Sequence, residues 1–330
     1  MPMKLSRRTL VAAPMAAAVA LAAFTSAAVA EAAVAEYPEK PVRIVVPTQA
    51  GGGMDSVARI LQAYNDETNF LGNKIVVINK PGAGGTIATR EIMESEADGY
   101  TIGFWHEGLI TSKVMGVVDF DHSDFEVLGA TGYGTLGLGV SADSDIKSFE
   151  DLIEKARNEP GSVKVATNVG LPVHFVPLMV EAEAGVEFRY VQVGGGAKRF
   201  PSVVATHTDT AIFGASEFIK WAEADLVPII LFADERLPEL PDLPSAKELG
   251  IDVRANANRI WLAPKGTPPE ITKHITDALK AAMDDPDVQK QFEDLGLVAE
   301  FVPPEALKAQ LDEWRAKAEP LVSKAVELQN

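Results

Sequence analysis

Apolar and polar positions alternate in blocks along this chain, and the blocks indicate strands followed by helices. The clearest example is residues 42–64, in which a valine-rich run at 42–46 leads into three consecutive glycines at 51–53. A short apolar run of this kind is typical of a buried strand, and the residues after the glycines have apolar positions at the spacing of one helix face. Those positions are Met54, Val57, Ala58 and Leu61. The pattern therefore predicts a strand, a glycine turn and a helix.

The same pattern returns along the rest of the chain. Strands are predicted at residues 74–78, 100–105, 127–130, 138–141, 163–166, 188–193, 210–213 and 227–232, and near residue 260. Helices are predicted between them, with Ser148 as a capping residue because an acid lies three residues on, and with Pro172 at a first helical position. Two or three helices end the chain. Strands that alternate with helices predict an α/β fold with ligands bound at the carboxyl ends of the strands.

Glycine turns follow several of these strands, and their chemistry favours an anion. Glycine lets the backbone approach a ligand closely, and the helix that follows directs its unpaired N–H groups back towards the turn. No Lys-Ser or Lys-Thr follows residues 51–53, and these glycines do not have the spacing of a dinucleotide loop. We therefore predict a site for a small anion, a carboxylate rather than a nucleotide. A tight connection that binds nothing is the alternative interpretation.

The first 30 residues have the pattern of an export signal. Three basic residues precede an apolar stretch at 10–24, and small residues follow, so cleavage is predicted after Ala30, or as late as Ala35. A retained membrane anchor is the alternative, but the apolar stretch is shorter than the ~20 residues that a span needs. The paired arginines leave open whether export uses the Sec or the twin-arginine route. The mature chain is predicted to work in the periplasm.

The composition restricts the partners. The chain has 330 residues, no cysteine and a net charge of −17, which becomes −20 once the basic signal segment is removed. This acidic balance argues against nucleic acid and anionic membrane surfaces as partners. Without cysteine, no disulfide contributes to stability, which must come from the core. No metal site and no cofactor are predicted.

A series of short motifs occurs between residue 37 and about residue 300. They are Tyr37-Pro38-Glu39-Lys40-Pro41-Val42-Arg43, Val46-Pro47 with Gly51-Gly52 and Asp55, Asn79-Lys80-Pro81-Gly82-Ala83-Gly84-Gly85, Asp98-Gly99-Tyr100-Thr101, Leu240-Pro241-Asp242-Leu243-Pro244, Ala263-Pro264-Lys265-Gly266-Thr267-Pro268 and Asp285-Pro286-Asp287-Val288. In content and order the series resembles the extracytoplasmic solute receptors of tripartite tricarboxylate transporters, also called Bug proteins. Each motif alone is a weak signal, whereas the ordered series is specific.

The resemblance implies a fold and a function. The fold would be α/β, a two-lobed periplasmic-binding-protein fold of type II character with two α/β domains around a central cleft. Residues 36–133 and 258–330 would form lobe 1, and residues 134–257 would form lobe 2. The receptor would capture a small carboxylate in the cleft and deliver it to the integral membrane components of the transporter. It would act as a monomer.

The resemblance also implies ligand-binding residues. In the family, the turn after the first strand holds a carboxylate through backbone and water-mediated hydrogen bonds. That role carries over onto Thr48, Gln49, Gly52, Gly53 and Met54. The second lobe would contribute residues from the ends of its strands, namely Thr167, Asn168, Gly170, Val173, Gly195 and Phe213. The sequence departs from the family pattern at several of these turns, so the family's common ligands are not transferred to this chain.

His106 and Glu107 follow the strand predicted at 100–105 and are further candidates for contact with the ligand. A carboxylate at Glu107 would repel an anion unless it is protonated, turned away, or matched by a cationic or hydroxyl group of the ligand. Our hypothesis is that His106 helps to choose the ligand. The alternative is a pair that is hydrogen-bonded to neighbouring loop atoms.

A cationic side chain is also a candidate at the site. Lys198 and Arg199 follow the glycine turn at 194–196, where a long basic side chain could reach the ligand. A solvated helix start is the more common arrangement for such residues. Arg259 is a rival for the same role.

The motifs of enzymes are incomplete in this chain. His106-Glu107 begins like a zinc-protease helix, but Ile110 stands where the second histidine is required. The segment at 214–218 lacks the closing glycine of a nucleophile elbow. We therefore predict no catalytic residues and no enzyme. An exported hydrolase that acts on a small carboxylic ester or amide is the alternative function.

Overall fold

A computed structural model describes residues 37–51, 53–194 and 196–327. Residues 1–39 and 40–330 form two separate units, and only residues 37–39 of the first unit are described. The predicted signal segment, residues 1–30, lies outside the described residues. No helix in the described ranges is both long enough and apolar enough to cross a membrane. All the elements below belong to the second unit.

The second unit begins with three parallel strands that were all predicted from their apolar runs. They are β1 (Val42–Val46), β2 (Ile75–Asn79) and β3 (Thr101–Trp105). β1 lies between the other two and pairs in parallel with both. The helices that follow these strands are α1 (Gly53–Thr68), α2 (Thr86–Glu94) and α3 (Gly108–Val114). The pattern predicts α1 and α2, whereas α3 is short, begins with glycine and was not predicted.

One long strand, β4 (Phe125–Ser141), follows these three units. The sequence predicts two strands here, at 127–130 and 138–141, and this prediction is wrong. Glycine normally weakens a strand, but here it allows a neighbour to approach closely. A β-carbon at Gly137 would lie 2.3 Å from the carbonyl oxygen of Ile230. The intervening glycines therefore permit close packing along one strand and do not end it.

The next part of the chain adds further strands and helices. The strands are β5 (Lys164–Thr167), β6 (Arg189–Gln192), β7 (Thr210–Gly214) and β8 (Leu226–Leu231). The helices are α4 (Phe149–Asn158), α5 (Pro172–Ala184), α6 (Gly196–Val204) and α7 (Ala215–Lys220). Ser148 Oγ accepts from Asp151 N at 3.1 Å, and Asp151 Oδ2 accepts from Ser148 N at 3.0 Å. The predicted capping residue of α4 is thereby confirmed, as is Pro172 at the start of α5.

The last part of the chain returns to the first group of elements. Its strands are β9 (Asn256–Pro264) and β10 (Val298–Val302), and its helices are α8 (Pro269–Met283), α9 (Pro286–Asp294), α10 (Pro304–Ala318) and α11 (Val322–Glu327). β9 pairs antiparallel with both β3 and β4. Helix α9 packs against α1, and α10 packs against α3. β10 was not predicted.

Hydrogen bonds connect the described strands in the order β2-β1-β3-β9-β4-β7-β5-β6, and β8 and β10 also pair with β4. Apolar side chains pack on both sides of β4. On the β3 and β9 side, Phe104 stacks on Trp261 with ring centroids 4.6 Å apart. On the β7 side, Phe213 and Phe218 meet edge to face at 5.9 Å. The arrangement places the carboxyl ends of β1, β2 and β3 at one edge, where the predicted site begins. The predicted lobe boundaries at residues 133–134 and 257–258 stay a prediction.

Candidate functional site

The site begins where β1, β2 and β3 end side by side. Val46 at the end of β1 pairs with Asn79 at the end of β2, and Val45 pairs with Gly103 in β3. Because β9 is antiparallel to β3, its first residues lie at this same edge. Segments 47–54, 80–85 and 106–108 therefore leave the sheet together, as the α/β pattern predicts.

Asp55 holds the glycine turn after β1 in shape. Its buried carboxylate accepts from Gly51 N at 2.8 Å, from Arg59 Nε at 2.8 Å and from Asn79 Nδ2 at 2.9 Å. Asn79 Nδ2 also donates to the Thr48 carbonyl oxygen at 3.1 Å. Burial alone would raise the pKa of Asp55, but the bonds from Arg59, Gly51 and Asn79 outweigh it and hold the pKa below its ordinary value. Asp55 is therefore an anion that fixes both ends of the turn.

The turn itself is open to solvent. Gln49 and Gly53 are exposed, Thr48 is half-buried and Met54 is buried. The hydroxyl oxygen of Thr48 has no hydrogen-bond partner among the described residues. Gly52, which was also predicted to bind the ligand, lies outside the described residues. Gly53 and Met54 open α1, and the first N–H groups of a helix generally lack partners within it, so this part of the turn presents donors to an anion.

His106 lies on the edge of this region as a neutral ring. It stacks on Trp105, with ring centroids 4.0 Å apart, and its Nδ1 accepts from Gly108 N at 2.8 Å. Burial, and then the charge of Arg259, lower the pKa of His106 to about 3. Because Nδ1 accepts a bond, the proton of the neutral ring is on Nε2. His106 can therefore offer a hydrogen-bond donor at Nε2, and it does not change charge near neutral pH.

Glu107 is buried in contact with the start of β9. Asn258 Nδ2 donates to Glu107 Oε1 at 2.6 Å. Both residues line a cavity of about 360 Å³ beside α10. Burial raises the pKa of Glu107 to about 7, although the bonds from Asn258 and the charge of Arg259 oppose the rise. The carboxyl is therefore protonated on a substantial fraction of molecules at neutral pH, which is one of the conditions for an anion to bind nearby.

The predicted residues after β5 form a second, connected loop. Thr167 is buried, and its hydroxyl donates to the Val173 carbonyl oxygen at 3.0 Å. The Thr167 carbonyl oxygen accepts from Val193 N at 2.9 Å and from Gly194 N at 3.0 Å. This arrangement brings the predicted turn at 167–174 next to the predicted chain at 193–194. Gly195, also predicted, lies outside the described residues.

Three side chains organise the tip of this loop. Asn168 Oδ1 accepts from Gln192 Nε2 at 3.1 Å. Gly170 N donates to His174 Nδ1 at 3.3 Å. His174 is fully buried, and this burial lowers its pKa to about 4. These bonds give the loop a defined shape, and the neutral, buried ring of His174 packs beneath its backbone at Gly170.

The basic residues after Gly194 have different surroundings. Lys198 is exposed, so it is free to reach solvent or a ligand. Arg199 is buried and donates to the Gly194 carbonyl oxygen at 2.8 Å and to the Ile212 carbonyl oxygen at 3.2 Å. Its guanidinium lies 5.8 Å from the ring of Phe213, which is itself fully buried in an apolar cluster. Arg199 thus supports the loop and is not a solvated helix start.

The two sets of turns approach each other through Gly84 and Leu171. A β-carbon at Gly84 would lie 3.9 Å from Leu171 Cδ2. Helix α3, directly after His106 and Glu107, packs against α5, which follows the second loop. No group of three histidine, aspartate or glutamate side chains in the described ranges is arranged to hold a metal ion. The candidate site is built mainly from backbone amides, side-chain amides and neutral side chains.

Comparison with known proteins places this arrangement in a family. The model of the TctC family, described as tripartite tricarboxylate transporter family receptor, matches residues 57–324. A Cupriavidus necator protein, described as UPF0065 protein in gbd 5'region, is 27% identical over 295 residues, or 87% of this chain and 88% of the relative. The structure of a TctC solute binding protein from Polaromonas, with no ligand, has a TM-score of 0.77 at 24% identity and covers 87% of this chain and 99% of that one. The structure of MatC from Rhodopseudomonas palustris with bound malate has a TM-score of 0.71 at 24% identity. It covers 87% of this chain and 100% of that one.

These similarities decide between the predicted classes. The solved structures confirm the predicted α/β fold, the two-lobed periplasmic-binding-protein fold. The family consists of receptors, so the prediction of a receptor is confirmed and the alternative of an exported hydrolase has no support. The matched segment covers most of the chain. The chain therefore belongs to the family of tripartite tricarboxylate transporter receptors.

Proposed function

We propose that this receptor captures a small carboxylate at the turn of residues 48–54 and delivers it to the integral membrane components of a tripartite tricarboxylate transporter. Family membership supports the transporter as partner. The malate in a similar structure supports a carboxylate as ligand. The remaining contacts would come from His106 and from the loop at 167–173.

The observation that carries this proposal is the open glycine turn held by Asp55 and Asn79. Its donors are backbone amides whose positions are set before a ligand arrives, because Asp55 and Asn79 hold Gly51 and Thr48. Preorganised donors lose little entropy when they bind. The predicted lobes, residues 36–133 with 258–330 and residues 134–257, would close the loop at 167–173 over the bound carboxylate.

We also propose that the receptor acts in the periplasm as a monomer after removal of an export signal. Its family supports a location outside the cytoplasm. The basic and apolar pattern of residues 1–30 supports the signal. We expect the exported chain to begin at Glu31 or Glu36, which the mass of the protein recovered from the periplasm measures. A full-length mass would contradict cleavage.

A thermal-shift screen tests the ligand class. We would screen acetate, malate, adipate, citrate, benzoate and glutamate against the purified receptor, with the matched amides and alcohols as controls. A carboxylate present at about 100 times its Kd stabilises the folded state by about 2.7 kcal/mol. For a chain of this size that corresponds to a rise in Tm of about 5 to 10 °C. Equal shifts for acids and their amides, or no shift in the whole panel, would contradict the proposal.

A further inference from the structure

Arg259 is a cation whose hydrogen-bonding capacity is incompletely used. Its Nη1 donates to the Ala257 carbonyl oxygen at 2.5 Å, whereas its buried Nε has no hydrogen-bond partner among the described residues. Arg199, in contrast, donates through both Nε and Nη1. Burial lowers the pKa of Arg259 to about 10, so the side chain remains charged at neutral pH. A buried charged donor without an acceptor is costly, and an anion would remove that cost.

The register of β3 and β9 puts Arg259 at the ligand-binding edge. Trp105 pairs with Ile260, so one residue further along His106 lies opposite Arg259. Neighbouring strands are about 4.8 Å apart, and β9 is two strands from β1. Arg259 therefore lies within about 10 Å of the end of β1. His106, with its Nε2 proton, directly follows β3, the strand between them.

Glu107 lies directly before α3, and the bond from Asn258 holds it beside β9, one residue from Arg259. Other charged residues line the cavity beside Glu107, namely Asp234 and Arg254 before β9, and Glu313 and Lys317 on α10. They form ion pairs of their own, since Arg254 contacts Asp234 at 2.7 Å and Lys317 contacts Glu313 at 3.4 Å. Glu107 instead bonds to Asn258 and interacts electrostatically with Arg259. The neutral ring of His106 adds no charge to this group.

We propose that Arg259 binds a carboxylate group of the solute and that Glu107 is the counter-charge of Arg259 in the unliganded receptor. The inference rests on the proposed function and adds a charged side chain to a site otherwise made of amides. When the solute binds, its carboxylate replaces Glu107 as the negative charge that balances Arg259. The two carboxylates then compete for one guanidinium, so binding favours the protonated form of Glu107.

This competition gives the receptor a defined pH dependence. Glu107 has a pKa of about 7, above its ordinary value. At pH 8 most Glu107 is ionised and opposes the incoming anion, and at pH 6 most of it is neutral. His106, with a pKa of about 3, stays neutral at both values. Binding should therefore be several-fold tighter at pH 6 than at pH 8 and should take up protons near neutral pH.

Calorimetry on a set of variants tests the inference, with the carboxylate that gives the largest thermal shift in the panel as probe. We expect R259Q to weaken binding at least tenfold, because a charge-assisted bond to the probe is lost. R259Q leaves the buried carboxylate of Glu107 without its counter-charge, which could destabilise the fold. The double variant E107Q/R259Q removes both charges and serves as the folded reference. E107Q alone should bind the probe equally well at pH 6 and pH 8, because the group that titrates between these values is gone. Arg236→Gln, which removes a positive charge from an exposed pair with Glu248, is the matched control and should bind as the unaltered protein does.

The outcomes separate this inference from the proposed function. A double variant that binds the probe at least tenfold more weakly than the unaltered receptor supports Arg259 as a ligand-binding residue. A double variant with unaltered affinity shows that the Glu107 and Arg259 pair is structural and overturns the inference, while the carboxylate receptor stands. An E107Q variant that keeps the full pH dependence overturns the role of Glu107. If no acid in the panel binds the unaltered receptor, the proposed function fails and this inference fails with it.

Discussion

Replacing Gly85 by alanine should lower the stability of the folded chain by about 3 kcal/mol, which corresponds to a fall in Tm of roughly 6 to 12 °C. Gly85 has a φ of +94°, which alanine adopts only at a cost of about 1 to 2 kcal/mol. A β-carbon there would also lie 2.4 Å from Trp105 Cζ2. The indole would have to move, and His106 is stacked on it. We therefore expect weaker binding of the carboxylate probe as well as lower stability.

Gly116→Ala is the matched control for this substitution. Gly116 also has a positive φ, +69°, but nothing lies within 4 Å of a β-carbon at that position. The control therefore carries the backbone cost of about 1 kcal/mol without the contact with an aromatic ring. Thermal unfolding and calorimetry of both variants measure the difference. Equal losses of stability in the two variants would show that the close packing of Gly85 on Trp105 contributes nothing.

Replacing Asp55 by alanine should reduce both stability and affinity. The substitution removes the acceptor of three hydrogen bonds, from Gly51, Arg59 and Asn79, and should destabilise the fold by about 3 kcal/mol. Affinity for the carboxylate probe should fall at least about tenfold, because about 1.4 kcal/mol of lost preorganisation corresponds to that factor. Without Asp55, the amide of Gly51 and the side chain of Asn79 no longer hold the turn in one conformation.

The pH dependence of this effect has a defined sign. The pKa of Asp55 is lower in the folded chain than its ordinary value of 3.8. Its contribution to stability is therefore fully present above that value and is lost as the pH falls through the folded-state pKa. Urea unfolding should show a large difference between the unaltered chain and Asp55→Ala at pH 7, and a smaller one at pH 3.

Asp285→Ala provides the control for loss of an aspartate at the start of a helix. Asp285 accepts from Asp287 N at 2.9 Å and from Val288 N at 3.4 Å at the start of α9. Its removal should destabilise the chain by about 1 kcal/mol and leave the affinity for carboxylates unchanged. If Asp55→Ala bound the probe as tightly as Asp285→Ala, the shape of the glycine turn would not determine binding.

Local sequence patterns predict much of this fold. The strands β1, β2 and β3 and the capping residue Ser148 are determined by residues a few positions away in the chain. Their structure can therefore be predicted from the local sequence. The long strand β4 was predicted as two strands because glycines usually interrupt a strand. In β4 they allow close contact with other strands, as at Gly137. β10 was missed because its residues gain their strand conformation by pairing with β4, more than 150 residues earlier in the chain.

The candidate site is also only partly predictable from the sequence. The glycine turn at 51–53 is visible in the sequence because strand, turn and helix are consecutive. The family resemblance adds the turn at 167–173, although the contacts of these residues with a ligand stay a prediction. The relation of Glu107 to Asn258 and Arg259 joins segments far apart in the chain, and no local pattern indicates it. Arg259 was predicted only as a rival cation, and a solvated helix start was the favoured interpretation of Arg199 because basic side chains are usually exposed.

The most direct test of carboxylate binding at the glycine turn is a crystal structure of the receptor with the carboxylate that binds most tightly in the panel. We predict a carboxylate oxygen about 2.7 to 3.2 Å from backbone nitrogens of residues 48–54, with the loop at 167–173 on its other side. A solute bound elsewhere, or a turn at 48–54 that is covered by other parts of the chain, would contradict it.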